Sequence, residues 1–213
     1  MVVKEDAGEA DMSGANGTVR PSMRTGNLYS AAEPYLTTPL QLVRACGLRP
    51  DEPIIDVSGA DSFMADALLA AGYRDLTILD RSAKALSALR DRAGDLAAHL
   101  TLVAAEVTHF HPPRRYALWH DNGEFHLLAY PEERQRYVEV LQEALKPEGH
   151  AVISTYGPEA PHEGRGKCYS ELTLPAELGR QFELIQYAVQ AYQTPLGERQ
   201  QYLHCHFCRH APH

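Results

Sequence analysis

The 213 residues of this chain suffice for one large α/β domain and are too few for two ordinary ones. A formal net charge of −8 without a block of Lys or Arg argues against a nucleic-acid partner, and no apolar run is long enough to span a membrane. The acidic N-terminus lacks the apolar segment of a signal peptide and the four cysteines are scattered, so we expect a reduced, cytoplasmic protein.

The first part of the chain divides into an arm and the start of a domain. Residues 1–24 are rich in Gly, Ser, Asp and Glu, and we predict that they form a disordered arm ahead of a single domain over residues 25–213. Leu36, Leu40, Val43 and Cys46 recur at helical spacing, which predicts the first helix.

Short apolar runs then alternate with amphipathic stretches. Strands are predicted at 53–57, 76–79, 100–103, 116–119 and 150–155, and helices at 62–71, 82–93, 122–128 and 131–145. This alternation is typical of an α/β fold, in which a parallel sheet is covered by helices on both faces. The strands predicted at 182–192 and 201–210 are joined by a Pro- and Gly-containing turn, which indicates an antiparallel hairpin.

The most informative segment follows the first predicted strand. There the chain enters a loop of small residues, Ser58-Gly59-Ala60-Asp61-Ser62, and then a helix, the position where open α/β sheets bind ligands. Asp56, Asp80 and Glu106 fall at the ends of three successive strands. An acid such as Asp80 can accept the hydroxyl groups of a ribose, and Glu106 could meet an adenine amino group. Each acid could instead only cap its own turn, but the three together favour an adenosine-containing cofactor.

These segments resemble the class I S-adenosylmethionine-dependent methyltransferases, over residues 54–62, 76–86, 105–108, 119–128 and 137–154. The fourth strand is similar to a bacterial branch that reads Trp-His-Asp-Arg-Ala-Val-Phe-His, near thiopurine-type small-molecule enzymes and some protein-lysine methyltransferases. The resemblance implies a Rossmann-like, doubly wound seven-stranded sheet, mostly parallel with an antiparallel C-terminal strand. It also implies S-adenosylmethionine as cofactor, S-adenosylhomocysteine as product and a small-molecule acceptor.

The resemblance further implies which residues form the site. Cofactor contacts are expected from residues that follow the first four strands, namely Asp56, Ser58, Gly59, Ala60, Ser62, Asp80, Arg81, Glu106, Val107 and His120. The acceptor is expected to meet Asp121, Tyr156, Cys168 and Tyr169, in part through a loop that also contains His162 and Lys167. Candidates for the base that removes the acceptor's proton are His120, Glu124 and His126.

Two departures from the family pattern affect the predicted reaction. Ser58, Ala60 and Ser62 stand where the family loop usually has Gly-x-Gly-x-Gly or Gly-x-Gly-x-Ser, and at the first two positions a side chain could crowd the cofactor or require a positive φ. Asn122-Gly123-Glu124 replaces Arg-Ala-Val, so an arginine is lost and a carboxylate gained. Alternatives to methyl transfer are therefore an elimination or cyclisation of the same cofactor and a non-catalytic, partner-binding subunit. Glu124 could also be a solvated helix residue, and His126 a packing residue.

The C-terminal strand carries a second pattern. On a strand, His204, His206, Cys208 and His210 would share one face, and such a row can chelate zinc. Histidine and cysteine in a central strand more often belong to the core, so no metal site is predicted.

Overall fold

The computed structural model describes residues 33–160, 166–193 and 199–211, so the arm predicted over residues 1–24 lies outside the described residues. The strands are β1 (Ile54–Val57), β2 (Leu76–Asp80), β3 (Leu100–Ala104), β4 (Tyr116–Asp121), β5 (Leu145–Tyr156), β6 (Phe182–Gln193) and β7 (Arg199–Arg209). The α-helices are α1 (Glu33–Ala45), α2 (Met64–Ala70), α3 (Ala83–Ala93), α4 (Pro131–Ala144) and α5 (Thr173–Leu178).

All seven strands form one sheet in the order β3-β2-β1-β4-β5-β7-β6. Strands β1 to β5 pair in parallel, whereas β7 lies antiparallel between β5 and β6. This arrangement confirms the predicted fold class, including the antiparallel C-terminal strand. Because the parallel strands share one direction, their carboxyl ends meet at a single edge of the sheet.

The central strands are buried on both faces. Ile54 of β1 belongs to a core with α1, α2 and α3, while the adjacent Ile55 belongs to a second core with α4 and α5. Successive side chains of a strand point to opposite faces, so β1 contributes to both cores. Asp56 follows Ile55 and therefore points to the same face of the sheet as Ile54.

The prediction of a helix over residues 122–128 is wrong. Only Phe125–Leu127 forms a short 3-10 turn, because the carboxylate of Asp121 accepts hydrogen bonds from the backbone N–H groups of Gly123, Glu124 and Phe125. A side chain that captures these N–H groups competes with helix formation. Gly123 also adopts a φ of 113°, outside the helical range, so Asn122 and His126 do not share a helix face.

Smaller differences occur around β5. This strand begins at Leu145, immediately after α4, rather than at 150, and the short helix α5 was not predicted. Among the described residues, no helix is both long enough and apolar enough to cross a membrane.

Candidate functional site

The loop after β1 is held in an unusual backbone conformation. Ser58 adopts a φ of 53°, in the left-handed region that disfavours residues with a Cβ, and its N–H donates to the carbonyl of Leu79 at 2.8 Å. At Gly59, a Cβ would lie 2.1 Å from Oδ2 of Asp56, so only glycine fits there. The predicted positive φ is thus confirmed at Ser58, while Gly59 is required by the close approach of Asp56.

Asp80 connects the end of β2 to this loop. Its Oδ2 accepts a hydrogen bond from the N–H of Ala60 at 3.2 Å, and its Oδ1 accepts one from the N–H of Ser82 at 2.8 Å. Ser62 closes the loop, because its hydroxyl donates to the carbonyl of Gly59 and accepts from the N–H of Met64. Asp80 remains partly exposed, and each carboxylate oxygen can accept further hydrogen bonds.

A polar network spans the ends of β1, β2, β3 and β4. The hydroxyl of Ser58 donates to Oε2 of Glu124 at 2.5 Å, and the Arg81 guanidinium lies 3.9 Å from Oε2 of Glu124 and 3.7 Å from Oε1 of Glu106. The side chain of Glu124 is only 6% exposed, whereas those of Arg81 and Glu106 are 57% and 50% exposed. A solvated Glu124 is therefore excluded.

Asp56 and His120 form a buried pair beneath the loop. They are register partners on β1 and β4, and Oδ1 of Asp56 lies 2.6 Å from Nδ1 of His120. Neither side chain is exposed. Among the described residues, Oδ2 of Asp56 and Nε2 of His120 have no hydrogen-bond partner. Because Gly59 lies against Asp56, this pair supports the loop from inside the domain.

Asp121 is occupied by the protein itself. In addition to the three backbone N–H groups, it accepts a hydrogen bond from the hydroxyl of Tyr137 at 2.6 Å, and that hydroxyl accepts one from Nε1 of Trp119 at 2.8 Å. Burial raises the pKa of Asp121 to about 6, although the hydrogen bonds from Tyr137 and from the backbone oppose that rise. The sequence indicated none of this network, because Tyr137 is compatible with an ordinary apolar helix stripe.

His126 lies at the carboxyl end of β5, opposite Tyr156. The centroids of the two rings are 4.0 Å apart, and the His126 ring hydrogen-bonds to the backbone of Ser154. Burial lowers the pKa of His126 to about 4, so the imidazole is neutral at pH 7. Its Nδ1 has no hydrogen-bond partner among the described residues. The structure thus holds a neutral imidazole whose Nδ1 is buried and, within the described part of the chain, unpaired.

The segment after residue 165 packs against the same strand end. The N–H of Lys167 donates to the carbonyl of His126 at 2.7 Å, and the N–H of Tyr169 donates to the carbonyl of Tyr156 at 2.9 Å. Cys168 is half-buried, whereas Tyr169 is buried against Phe125. His162 lies outside the described residues.

The predicted residues therefore fall into two groups. Asp80, Arg81, Glu106 and Glu124 lie together at the ends of the first four strands, and His126, Tyr156 and Cys168 gather at the end of β5. Several other predicted residues are buried and serve the core or the backbone of the site: Asp56, Val107, His120, Asp121 and Tyr169.

No known family profile matches the sequence, and no curated protein does either. Solved structures do resemble the fold. The 1,6-didemethyltoxoflavin-N1-methyltransferase of Burkholderia thailandensis, with its substrate and S-adenosylhomocysteine bound, is 21% identical with a TM-score of 0.66, over 87% of this chain and 82% of that one. The N-methyltransferase NodS of Bradyrhizobium japonicum, in complex with S-adenosylhomocysteine, is 16% identical with a TM-score of 0.68, over 87% and 89% of the two chains.

A further structure with this fold is an S-adenosylmethionine-dependent methyltransferase of Clostridium acetobutylicum, 9% identical with a TM-score of 0.65, over 84% of this chain and 92% of that one. At these identities the likeness establishes the fold. The chain thus has the fold of the S-adenosylmethionine-dependent methyltransferases, as its resemblance implied.

Proposed function

We propose that this protein is an S-adenosylmethionine-dependent methyltransferase that acts on a small-molecule acceptor. The observation that carries the proposal is the group of carboxylates, Asp80, Glu106 and Glu124, at the carboxyl ends of neighbouring strands around a tight loop. In sheets of this kind ligands bind at that edge. The solved structures with this fold that contain S-adenosylhomocysteine support the same cofactor.

The residues at this edge fit the cofactor chemically. Asp80 is partly exposed and offers acceptor oxygens for the two ribose hydroxyls, while Glu106 is exposed where an amino group of the base can donate to it. Ser58, Gly59, Ala60 and Ser62 are small enough for the backbone to approach a ligand. S-adenosylmethionine carries a sulfonium and an ammonium group, and the carboxylates of this edge favour both charges.

Glu124 and Arg81 are assigned to the amino-acid end of the cofactor. Glu124 accepts the hydrogen bond of Ser58 and pairs with Arg81. An ammonium group can take the place of the Ser58 hydroxyl on this carboxylate, and the guanidinium of Arg81 can pair with a ligand carboxylate. These exchanges keep the buried carboxylate of Glu124 paired, which limits the cost of its desolvation, and they leave the exposed Arg81 with a partner as well.

The bound cofactor supplies an electrophilic methyl group, and the chain must hold a nucleophile in line with it. His126 and Tyr156, with Cys168 nearby, are assigned to the acceptor. Because Nδ1 of His126 is buried, the neutral ring acts by packing against the partly exposed Tyr156 and holding it toward the nucleophile. His120 and Asp56, both inaccessible, act as positioning residues for the loop, and Asp121 fixes the backbone that carries Glu124.

A small acceptor agrees with the chain's charge and with its structural relatives. The net charge of −8 disfavours nucleic acid. The Burkholderia enzyme was solved with 1,6-didemethyltoxoflavin bound, which supports a small-molecule acceptor here. All four cysteines are free thiols, which favours a reducing compartment, and we place the protein in the cytoplasm.

One observation favours a second candidate, a non-methylating reaction of the same cofactor. The hydrogen bond between Ser58 and Glu124 introduces a buried carboxylate beside the loop, where the family branch has valine. A carboxylate close to the methionine chain could remove a proton from it, as an elimination or cyclisation requires.

Product analysis separates the two reactions. The protein is incubated with S-adenosylmethionine and a small-metabolite extract, and nucleoside products are quantified by mass spectrometry. Methyl transfer predicts S-adenosylhomocysteine that forms only with the extract, whereas methylthioadenosine would support the second candidate and contradict the first.

A matched pair of variants tests the acceptor assignment. We expect His126→Asn to lower S-adenosylhomocysteine formation by about 10-fold or more without weakening S-adenosylhomocysteine binding. The exposed His111 in the connection before β4 provides the control, and His111→Asn should change neither quantity. Equal activities of the two variants would refute the role of His126.

A further inference from the structure

Three side chains of the kind that bind soft divalent metals converge beneath the C-terminal end of α1. Cys46 directly follows α1, His150 belongs to β5, and His206 belongs to β7. The Cys46 Sγ lies 3.3 Å from Nε2 of His206, and that nitrogen lies 3.0 Å from Nδ1 of His150. The three ligand atoms all lie within 4.8 Å of one another, although the residues are far apart in sequence.

The spacing of these atoms is close to that of a tetrahedral zinc site. Zn–S bonds of about 2.3 Å and Zn–N bonds of about 2.0–2.1 Å place neighbouring ligand atoms roughly 3.3–3.6 Å apart. The observed separations of 3.3 and 3.0 Å therefore need to open by only a few tenths of an ångström. The third separation, between the ligand atoms of Cys46 and His150, lies within 4.8 Å and needs to close by at most about 1.3 Å. That adjustment is within the reach of side-chain rotation and needs no change in the fold.

The surroundings of His206 also suit a metal ligand. Its Nε2 faces Cys46 and His150, while its Nδ1 lies 3.3 Å from the terminal amide of Gln186. Metal-bound histidines generally donate their second ring N–H to an oxygen acceptor, and the amide of Gln186 can present its oxygen after a flip.

A fourth ligand is available on the same face of the sheet. Cys208 is the register partner of His150 across β5 and β7, and it lies two residues after His206 on one strand. Both relations place its side chain on the face that carries the cluster. Its thiol lies outside the group of ligand atoms within 4.8 Å of one another, so a side-chain rotation must bring it to the metal.

We propose that Cys46, His150 and His206, with Cys208 as fourth ligand, form a zinc site that fastens the end of α1 to β5 and β7. The set of two thiolates and two imidazoles is typical of structural zinc. It differs from the single-strand row suggested by the sequence, because His204 hydrogen-bonds to Ser154 at 2.8 Å instead. The proposal is independent of methyl transfer.

Cobalt substitution tests this site directly. Untagged protein is treated with a chelator, dialysed and titrated with Co²⁺, which reports its ligands through its absorption. We expect one equivalent to bind, with the visible bands of a tetrahedral site and a thiolate-to-cobalt charge-transfer band, and Zn²⁺ should abolish both. A wild-type protein that shows no thiolate band would overturn the proposal without any variant.

Variants then locate the metal. Cys46→Ser and His206→Gln should each weaken binding by more than about 100-fold, beyond the loss typical of an outer-shell residue, and Cys208→Ala should weaken it less. The control is the double variant His109→Gln, His111→Gln, which removes two exposed histidines elsewhere.

Thermal unfolding supplies a second readout. Zn²⁺ should raise the Tm of the wild type and of the control, but not that of Cys46→Ser, since only a ligand bound to the folded state stabilises it. Far-UV circular dichroism establishes that each variant is folded. Equal cobalt affinity in Cys46→Ser and wild type would refute the assignment.

Discussion

The sheet carries two polar clusters whose chemistry differs with their position. At the carboxyl ends of β1 to β4, the carboxylates of Asp80 and Glu106 are at least partly exposed to solvent. The buried carboxylate of Glu124 lies beside them and pairs with Arg81 and the hydroxyl of Ser58. Beneath α1, the cluster of Cys46, His150 and His206 contains only groups that are neutral when buried.

Desolvation explains the difference. A buried charge is costly unless it is paired, so carboxylates persist at the sheet edge and imidazoles and thiols occupy the interior. Each cluster is accordingly suited to a different ligand. The edge can bind hydroxyl and cationic groups, whereas the interior can bind a soft metal ion that displaces a thiol proton.

The edge depends most on Asp121, which together with Asp56 departs from this division, because both carboxylates are fully buried. Asp121 accepts hydrogen bonds from four donors, and its loss leaves those donors unsatisfied. We expect Asp121→Ala to lower the free energy of unfolding by about 3 kcal/mol or more, measured by urea denaturation. The exposed Asp91 in α3 is the control, and Asp91→Ala should stay within about 0.5 kcal/mol. A loss below about 1 kcal/mol in Asp121→Ala would contradict its structural role.

The buried ionisable side chains should make the free energy of unfolding depend on pH. Burial lowers the pKa of His126 and His204 to about 4, so between pH 6.5 and 4 the unfolded chain binds more protons and stability falls as the pH falls. Asp121, with its pKa raised to about 6, acts in the opposite direction over the same range, because the folded state holds its proton more tightly. Each group contributes up to about 1.4 kcal/mol per pH unit. His126 and His204, together with His206, whose pKa burial also lowers to about 4, therefore outweigh the aspartate.

The measurement is urea unfolding between pH 6.5 and 4.5 in the presence of a chelator. His204→Gln should flatten the fall in stability, whereas His111→Gln should leave the slope unchanged. An equally steep slope in His204→Gln would show that His204 is not held neutral.

The smallest effect concerns the backbone at Ser58. Ser58→Ala and Ser58→Gly both remove the hydrogen bond to Glu124, but only glycine relieves the φ of 53°. We expect the glycine variant to be more stable than the alanine variant by about 1 kcal/mol. At Ser87, exposed in α3, the order should reverse because alanine is favoured within helices. The same order at both positions would contradict the left-handed conformation of Ser58.

Much of the fold was predictable, because apolar periodicity dictates which strands and helices are buried. The acids at the strand ends were predictable too, since parallel strands bring their carboxyl ends to one edge. The bond between Ser58 and Glu124 was not, because it depends on how two loops 66 residues apart approach each other.

The incorrect prediction of a helix at 122–128 also comes from a contact that the sequence pattern does not show. Helix periodicity is read from side-chain spacing, whereas Asp121 determines this turn by capturing backbone N–H groups. Likewise, the row from His204 to His210 was weighed as a metal pattern on one strand and no metal site was predicted, whereas the cluster in the structure includes Cys46 and His150 from elements that no spacing connects.

The central claim is that the edge formed by Asp80 and its neighbours binds the cofactor, and titration calorimetry with S-adenosylhomocysteine tests it most directly. We predict one binding site per chain, weakened about 10-fold or more in Asp80→Asn by the loss of a charged acceptor, and unchanged in Asp91→Asn. Absence of binding to both S-adenosylhomocysteine and S-adenosylmethionine, or equal affinity in Asp80→Asn, would contradict the account.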